Sequence, residues 1–248
     1  MTGRLIALVS LLVATACAQI ENGSSEIVRR HTEKPASTYW VPANSFVSAA
    51  DLRMPSNAAR EFEKADHLIA KREWEKAAER LRKGLAIYPR YAAAYNNLGA
   101  LYSQLGYNTE AREALQKAIA LDDRLAPAYG NLGRLSFVEK DFPSAESLLT
   151  KAISLAPAPN ADELFLLGYA QLTDHHLDEA LQTSRQGHGE KLNHHASLHL
   201  LAANAYEQQN RISDCISELQ FYLNEEPNGI SAEKVRQALA MLQARASR

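Results

Sequence analysis

Residues 92–121 read AAAYNNLGALYSQLGYNTEAREALQKAIAL, and this stretch decides the fold. In its first half, Tyr95, Leu98, Gly99, Leu101 and Tyr102 fall on one face of a helix. Gly106 then interrupts the pattern, and Ala111, Leu115, Ala118 and Ile119 open a second helical face. Thr109 is the expected N-cap of that second helix. The pair therefore reads as two helices joined by a tight turn.

Small residues carry the pattern outward. Ala77, Ala111, Ala145, Ala180 and Cys215 are spaced 34, 34, 35 and 35 residues apart. Ala65, Gly99, Gly133, Gly168 and Ala203 keep the same intervals, always twelve residues earlier. Leu98, Leu132 and Leu167 accompany one series. Leu81, Leu115, Leu149 and Leu219 accompany the other. Pro89, Pro157 and Pro227 follow helix ends, since proline lacks the N–H and clashes with the preceding turn. A long fixed period built from helix-period apolar residues predicts stacked helical hairpins, none of which buries its apolar face alone. Small residues at the crossings allow the helix axes to approach closely.

These residues resemble the tetratricopeptide repeat. The resemblance rests on Leu98-Gly99-x2-Tyr102 with Ala111, Leu115 and Ala118, and on Leu132-Gly133 with Ala145, Leu149, Ala152 and Pro157. It implies an all-α, right-handed α-solenoid of about five helix-turn-helix repeats over 58–227, the copy at 161–192 being degenerate. Ten repeat helices and no sheet are expected. A last amphipathic helix within 228–248, through Val235, Ala238, Leu239 and Leu242, is expected to cap the stack. In the fourth repeat, Gly187 and Gly189 lower helix propensity and Ser184 replaces a leucine, which predicts a weak second helix.

Composition agrees with a globular helical array read as one cooperative domain. Hydrophobic residues make up 46% and charged residues 23% of the 248-residue chain, whose 11 Gly and 9 Pro suit turns. A net charge of −2 gives no electrostatic reason to expect nucleic acid.

Residues 1–18 read as an export signal, with Arg4, an apolar run over 5–14 and then small residues. The run is shorter than the roughly 20 apolar residues that a spanning helix needs. Two processing readings stay open. Ala16-Cys17-Ala18 offers cleavage before Gln19, and Ala14-Thr15-Ala16-Cys17 resembles a loose lipobox that would place lipid on Cys17. Residues 19–57 read as a polar linker or N-terminal extension, of which 19–44 are polar and mixed without helical period, with Tyr39-Trp40-Val41-Pro42 as an aromatic island that packs on the first repeat or docks elsewhere. Exported, periplasmic or secreted, the protein would meet the membrane only through lipid on Cys17. The sequence has two cysteines, and Cys215 replaces a core alanine, so a disulfide framework is excluded.

No phosphate loop, nucleophile elbow or C-x-x-C pair is present, and the chain is read as non-enzymatic without a cofactor. Six of eight histidines, His175, His176, His188, His194, His195 and His199, lie within 25 residues. His195 and His199 would share a helical face at a metal-ligand spacing, which leaves metal handling as a third reading. The resemblance points instead to the concave face lined by the first helix of each hairpin. Carried over by position, that face takes Asn96, Asn97, Ala100 and Gln104, then Asn131, Arg134, Phe137 and Val138, then Phe165, Tyr169 and Leu172. Of these, Asn97, Asn131, Arg134, Phe137, Phe165 and Tyr169 form the candidate partner-binding groove. Asn97 and Asn131 stand where the family often holds a bound peptide backbone. Basic residues of the family's clamp for acidic C-termini are absent, with Phe62, Asp66, Pro127 and Asn131 in their places.

A protein or peptide partner is thus expected, for an interaction scaffold or assembly factor of the cell envelope. By analogy of length and repeat count, a pilotin-like outer-membrane lipoprotein that assists pilus or secretin assembly is the alternative. Intact mass of the mature protein separates the processing readings: a chain starting at Gln19, or a diacyl or triacyl adduct on Cys17. Retained Met1 would contradict both.

Overall fold

The computed structural model describes residues 26–32, 54–156, 160–189 and 195–246. The export segment with Cys17, the Tyr39–Trp40 island, Pro157 and His194 lie outside the described residues. Among the described residues there are twelve helices and no strand. They are α1 (Glu26–Thr32), α2 (Ser56–Ala70), α3 (Trp74–Ile87), α4 (Ala92–Gln104), α5 (Asn108–Leu121) and α6 (Ala126–Val138). After these come α7 (Phe142–Leu155), α8 (Ala161–Thr173), α9 (Leu177–Gly189), α10 (Ala196–Gln208), α11 (Ile212–Glu225) and α12 (Ala232–Ala246). No described helix is long and apolar enough to cross a membrane.

The expected hairpins are α2/α3, α4/α5, α6/α7, α8/α9 and α10/α11, an α-solenoid arrangement of helix-turn-helix repeats. The chain divides into two compact units, Glu33–Ala158 and Met1–Thr32 with Pro159–Arg248. Three hairpins make up the first unit, where α3 packs on α4, α5 on α6, and the first helices α4 and α6 meet. In the second, α9 packs on α10, α8 meets α10, α12 packs on α11, and α1 touches α8. Within each unit this is nearest-neighbour stacking, in which one hairpin buries the face that the next one exposes.

One turn is repeated five times. Arg72, Gly106, Lys140, His175 and Asn210 all have φ between 58° and 80° and recur at the 34- or 35-residue period. Each ends its first helix with a pair of bonds. At the first turn, Arg72 N–H donates to the Ile69 carbonyl (2.8 Å) and Glu73 N–H to the Leu68 carbonyl (2.9 Å). The second bond recurs as Tyr107 to Tyr102, Asp141 to Ser136, His176 to Gln171 and Arg211 to Tyr206, at 2.8–2.9 Å. This satisfies carbonyls that a helix end would leave without partners.

The two small-residue series lie where the helices cross. Ala65, Ala77, Ala111, Ala145, Ala180, Ala203 and Cys215 are fully buried. A Cβ on Gly99 would stand 2.5 Å from Leu115 Cγ and 3.1 Å from the Ala111 carbonyl oxygen. On Gly133 it would stand 2.9 Å from Leu149 Cγ. Glycine is required there by close approach. Gly84, outside the series, does the same for the Phe62 ring, whose nearest atom would be 2.3 Å away. That ring also meets Tyr91 at 4.9 Å between centroids.

Three local expectations are corrected. Thr109 is not an N-cap: the helix begins at Asn108 with Tyr107 at the cap, and no side chain bonds there. The 19–57 linker contains α1, whose seven residues are too few to show a period in sequence. The second helix of the fourth repeat is well packed over its middle. Ser184 is buried and its hydroxyl donates to the Leu198 carbonyl at 2.9 Å. A Cβ on Gly187 would meet Leu198 Cδ1 at 2.2 Å. The glycine and the serine fit α9 against α10, and the neighbour supplies what propensity lacks.

Gly99→Ala tests the crossing. In an open helix the change stabilises by up to about 1 kcal/mol. Here overpacking against Leu115 and the Ala111 carbonyl reverses the sign, and we expect a loss of about 1–3 kcal/mol. Denaturant unfolding measures it; a gain in stability would contradict the observed approach.

Candidate functional site

In the unit built of α2–α7, Asn97 lies on α4, and Asn131, Arg134 and Phe137 lie on α6. Their spacing puts Asn97 and Asn131 at the same position of successive repeats. The Asn131 amide donates to Asn96 Oδ1 at 2.9 Å, and the Asn96 amide donates to Asn97 Oδ1 at 3.1 Å. Three amides thus link the two first helices across the repeat boundary. Phe137 meets the Phe142 ring edge-on, 5.5 Å between centroids. Asn96, Asn97, Ala100, Asn131, Arg134 and Phe137 are all buried, whereas Gln104 and Val138 are exposed.

In the other unit, Phe165 and Tyr169 lie on α8 with ring centroids 6.4 Å apart. Every α8 residue from Ala161 to Leu172 is buried. Part of the cover is α1. The His31 ring stacks on Phe165, 4.0 Å between centroids and 21° between planes. Its Nδ1 lies 2.6 Å from Asp162 Oδ1, and its Nε2 lies 3.2 Å from Ser197 Oγ on α10. Nδ1 facing a carboxylate carries the proton, which leaves Nε2 to accept from the hydroxyl, or to donate when the ring is charged. Asp162 is fixed in turn, because its own N–H donates to the Asn160 side chain at 2.9 Å, the N-cap bond of α8.

His31, Asp162 and Ser197 carry no motif, and sequence reasoning missed them. They lie 131 and 166 residues apart in the chain. Only the fold brings them together.

The histidine cluster is arranged differently from the expected i, i+4 pair. His195 occupies the N-cap of α10 with a non-helical backbone, φ −114° and ψ 72°, so it shares no helical turn with His199. His199 instead faces carboxylates with both ring nitrogens, Nδ1 2.7 Å from Glu218 and Nε2 3.5 Å from Glu225. Its ring lies between His188, at 4.0 Å, and Phe221, at 5.4 Å. Burial, and then the His199 charge, hold His188 below the ordinary histidine value. No group of three or more potential metal ligands is assembled among the described residues. Burial, with Glu207 and Glu218 nearby, pushes the Cys215 thiol up to about 12, so it stays protonated at neutral pH and packs as a small apolar group.

A family profile described as "Tetratricopeptide repeat" matches residues 92–124, the α4/α5 hairpin with its flanking turn. That hairpin matches the tetratricopeptide repeat, and the helix-turn-helix stacking of the rest has the same fold. Solved structures agree on the fold. YrrB, described as a TPR protein with an unusual peptide-binding site, is 20% identical and superposes with a TM-score of 0.65 over 77% of this chain and 98% of its own. A MamA structure is 23% identical, with a TM-score of 0.61 over 68% of this chain and 92% of its own. MamA 41-end from Desulfovibrio magneticus RS-1 is 16% identical, with a TM-score of 0.58 over 77% and 98%. Comparison with curated protein sequences finds no match. At these identities the likeness concerns the fold.

Proposed function

We propose that this protein is a non-enzymatic interaction scaffold or assembly factor that binds a peptide segment of a protein partner on its first-helix face. The observation that carries the reading is the way α8 and α10 hold a seven-residue helix, through a ring stack, a carboxylate and a hydroxyl. Side chains that grip a short helix of this chain have the chemistry to grip one of another. The linked amides of Asn96, Asn97 and Asn131 and the buried Arg134 and Phe137 lie on the corresponding helices of the other unit. The peptide-binding site named for YrrB supports the reading by fold-level analogy.

Export rests on residues 1–18 alone. An outer-membrane lipoprotein with a part in pilus or secretin assembly becomes the better reading if Cys17 carries lipid.

The test begins with the partner captured from the native host by the full-length protein. Its affinity is then measured for Arg134→Ala and Phe165→Ala beside their melting temperatures. Both side chains are buried, so some loss of stability is expected. Each variant that remains folded at the assay temperature should lose about 2 kcal/mol or more of binding, while the exposed Gln104→Ala should change little. Affinity unchanged in both, or falling only in step with stability, would place the partner elsewhere.

A further inference from the structure

α1 has seven residues, far below the roughly 12–15 at which an isolated helix becomes even marginally stable in water. Its helicity therefore depends on what it lies against. The described contacts converge on one side chain. His31 is 9% exposed, with its ring face on Phe165, one nitrogen on Asp162 and the other near Ser197. Two successive repeats supply the three groups, α8 the acid and the phenyl ring, α10 the hydroxyl. The last turn of α1 carries Arg29, Arg30 and His31, and the first turn of α8 carries Asp162 and Glu163, of which Asp162 pairs with His31.

We infer that the α8–α10 face is a binding site for a short basic helical peptide that inserts an imidazole ring between Asp162 and Phe165, and that α1 is its occupant in cis. This deepens the proposed function and rests on it for one point, that a partner uses the same face. A tethered segment competes at an effective concentration in the millimolar range when its linker can span the site. A peptide of the same chemistry therefore binds in trans only as α1 leaves. The stack discriminates as well, since a peptide lacking a ring at this position forfeits all three His31 contacts at once.

The experiment uses the full chain and a fluorescent synthetic peptide of residues 24–34, SSEIVRRHTEK, read by anisotropy. His31→Ala in the protein removes the anchor of α1; a cooperative melt at a somewhat lower temperature, with circular dichroism that loses no more than a helix of α1's length, shows that α8–α12 remain folded. The peptide should bind the His31→Ala protein at least tenfold more tightly than the unaltered protein. The same peptide with alanine at the His31 position should lose at least tenfold, and Asp162→Asn placed beside His31→Ala should weaken the unaltered peptide similarly. Equal affinity for both proteins, or equal affinity of both peptides, would overturn the inference. Partner affinity on the His31→Ala protein separates the two claims. If the peptide gains and the partner does not, the cis occupant stands and the proposed use of this face by the partner fails.

Discussion

Each hairpin closes because its two helices cross where neither carries a large side chain. A Leu at either crossing position would hold the axes apart and break the contact that the next hairpin builds on. The constraint is visible at Gly99 and Gly133, where even one added methyl would overlap a leucine of the facing helix. It holds equally at Ala77, Ala111, Ala145 and Ala180, and at Cys215, all fully buried. The left-handed turn residues follow from the same geometry. Two helices that cross closely must be joined tightly, and the turn bonds reverse the chain while satisfying the free carbonyls. Interior packing, turn geometry and repeat length are one requirement expressed three ways.

That requirement is why so much of the fold can be read from the residues. Small side chains at fixed intervals survive inspection of a single chain, and so do the leucines beside them. What escaped was whatever depended on tertiary contact. Four of the five left-handed turn residues are Arg72, Lys140, His175 and Asn210, none of them glycine, so only Gly106 announced its turn. Gly187 read as a weakness by propensity, and packing against Leu198 gives it a purpose. Thr109 looked like a cap, but the helix starts one residue earlier. The break between the two compact units falls where the period lengthens from 34 to 35 residues, a change of one residue that does not by itself announce a boundary. α1 is the largest omission, because a helix of seven residues held by long-range contacts has no local signature.

For the proposed groove residues, helix position was legible in the sequence and burial was not. The family resemblance placed Asn97, Asn131, Arg134, Phe137, Phe165 and Tyr169 on first helices, and all six are there. Every one of them is buried. For Phe165 the reason is explicit, since its ring is covered by His31. The histidine cluster shows the same limit in reverse. Sequence proximity suggested shared ligands, whereas the His199 ring meets His188 at a tilt and stacks on Phe221, and its nitrogens turn to Glu218 and Glu225.

The central functional claim is that a segment of this chain sits on the face that would receive a partner, and proximity in solution tests it most directly. In the full-length protein with isotope-labelled His and Phe, nuclear Overhauser contacts between the His31 ring and the Phe165 ring report distances of this order. At 4.0 Å between centroids, clear cross-peaks are predicted, and they should vanish in Asp162→Ala protein that remains folded. A folded protein with assigned His31 and Phe165 resonances and no cross-peak between them would contradict the account.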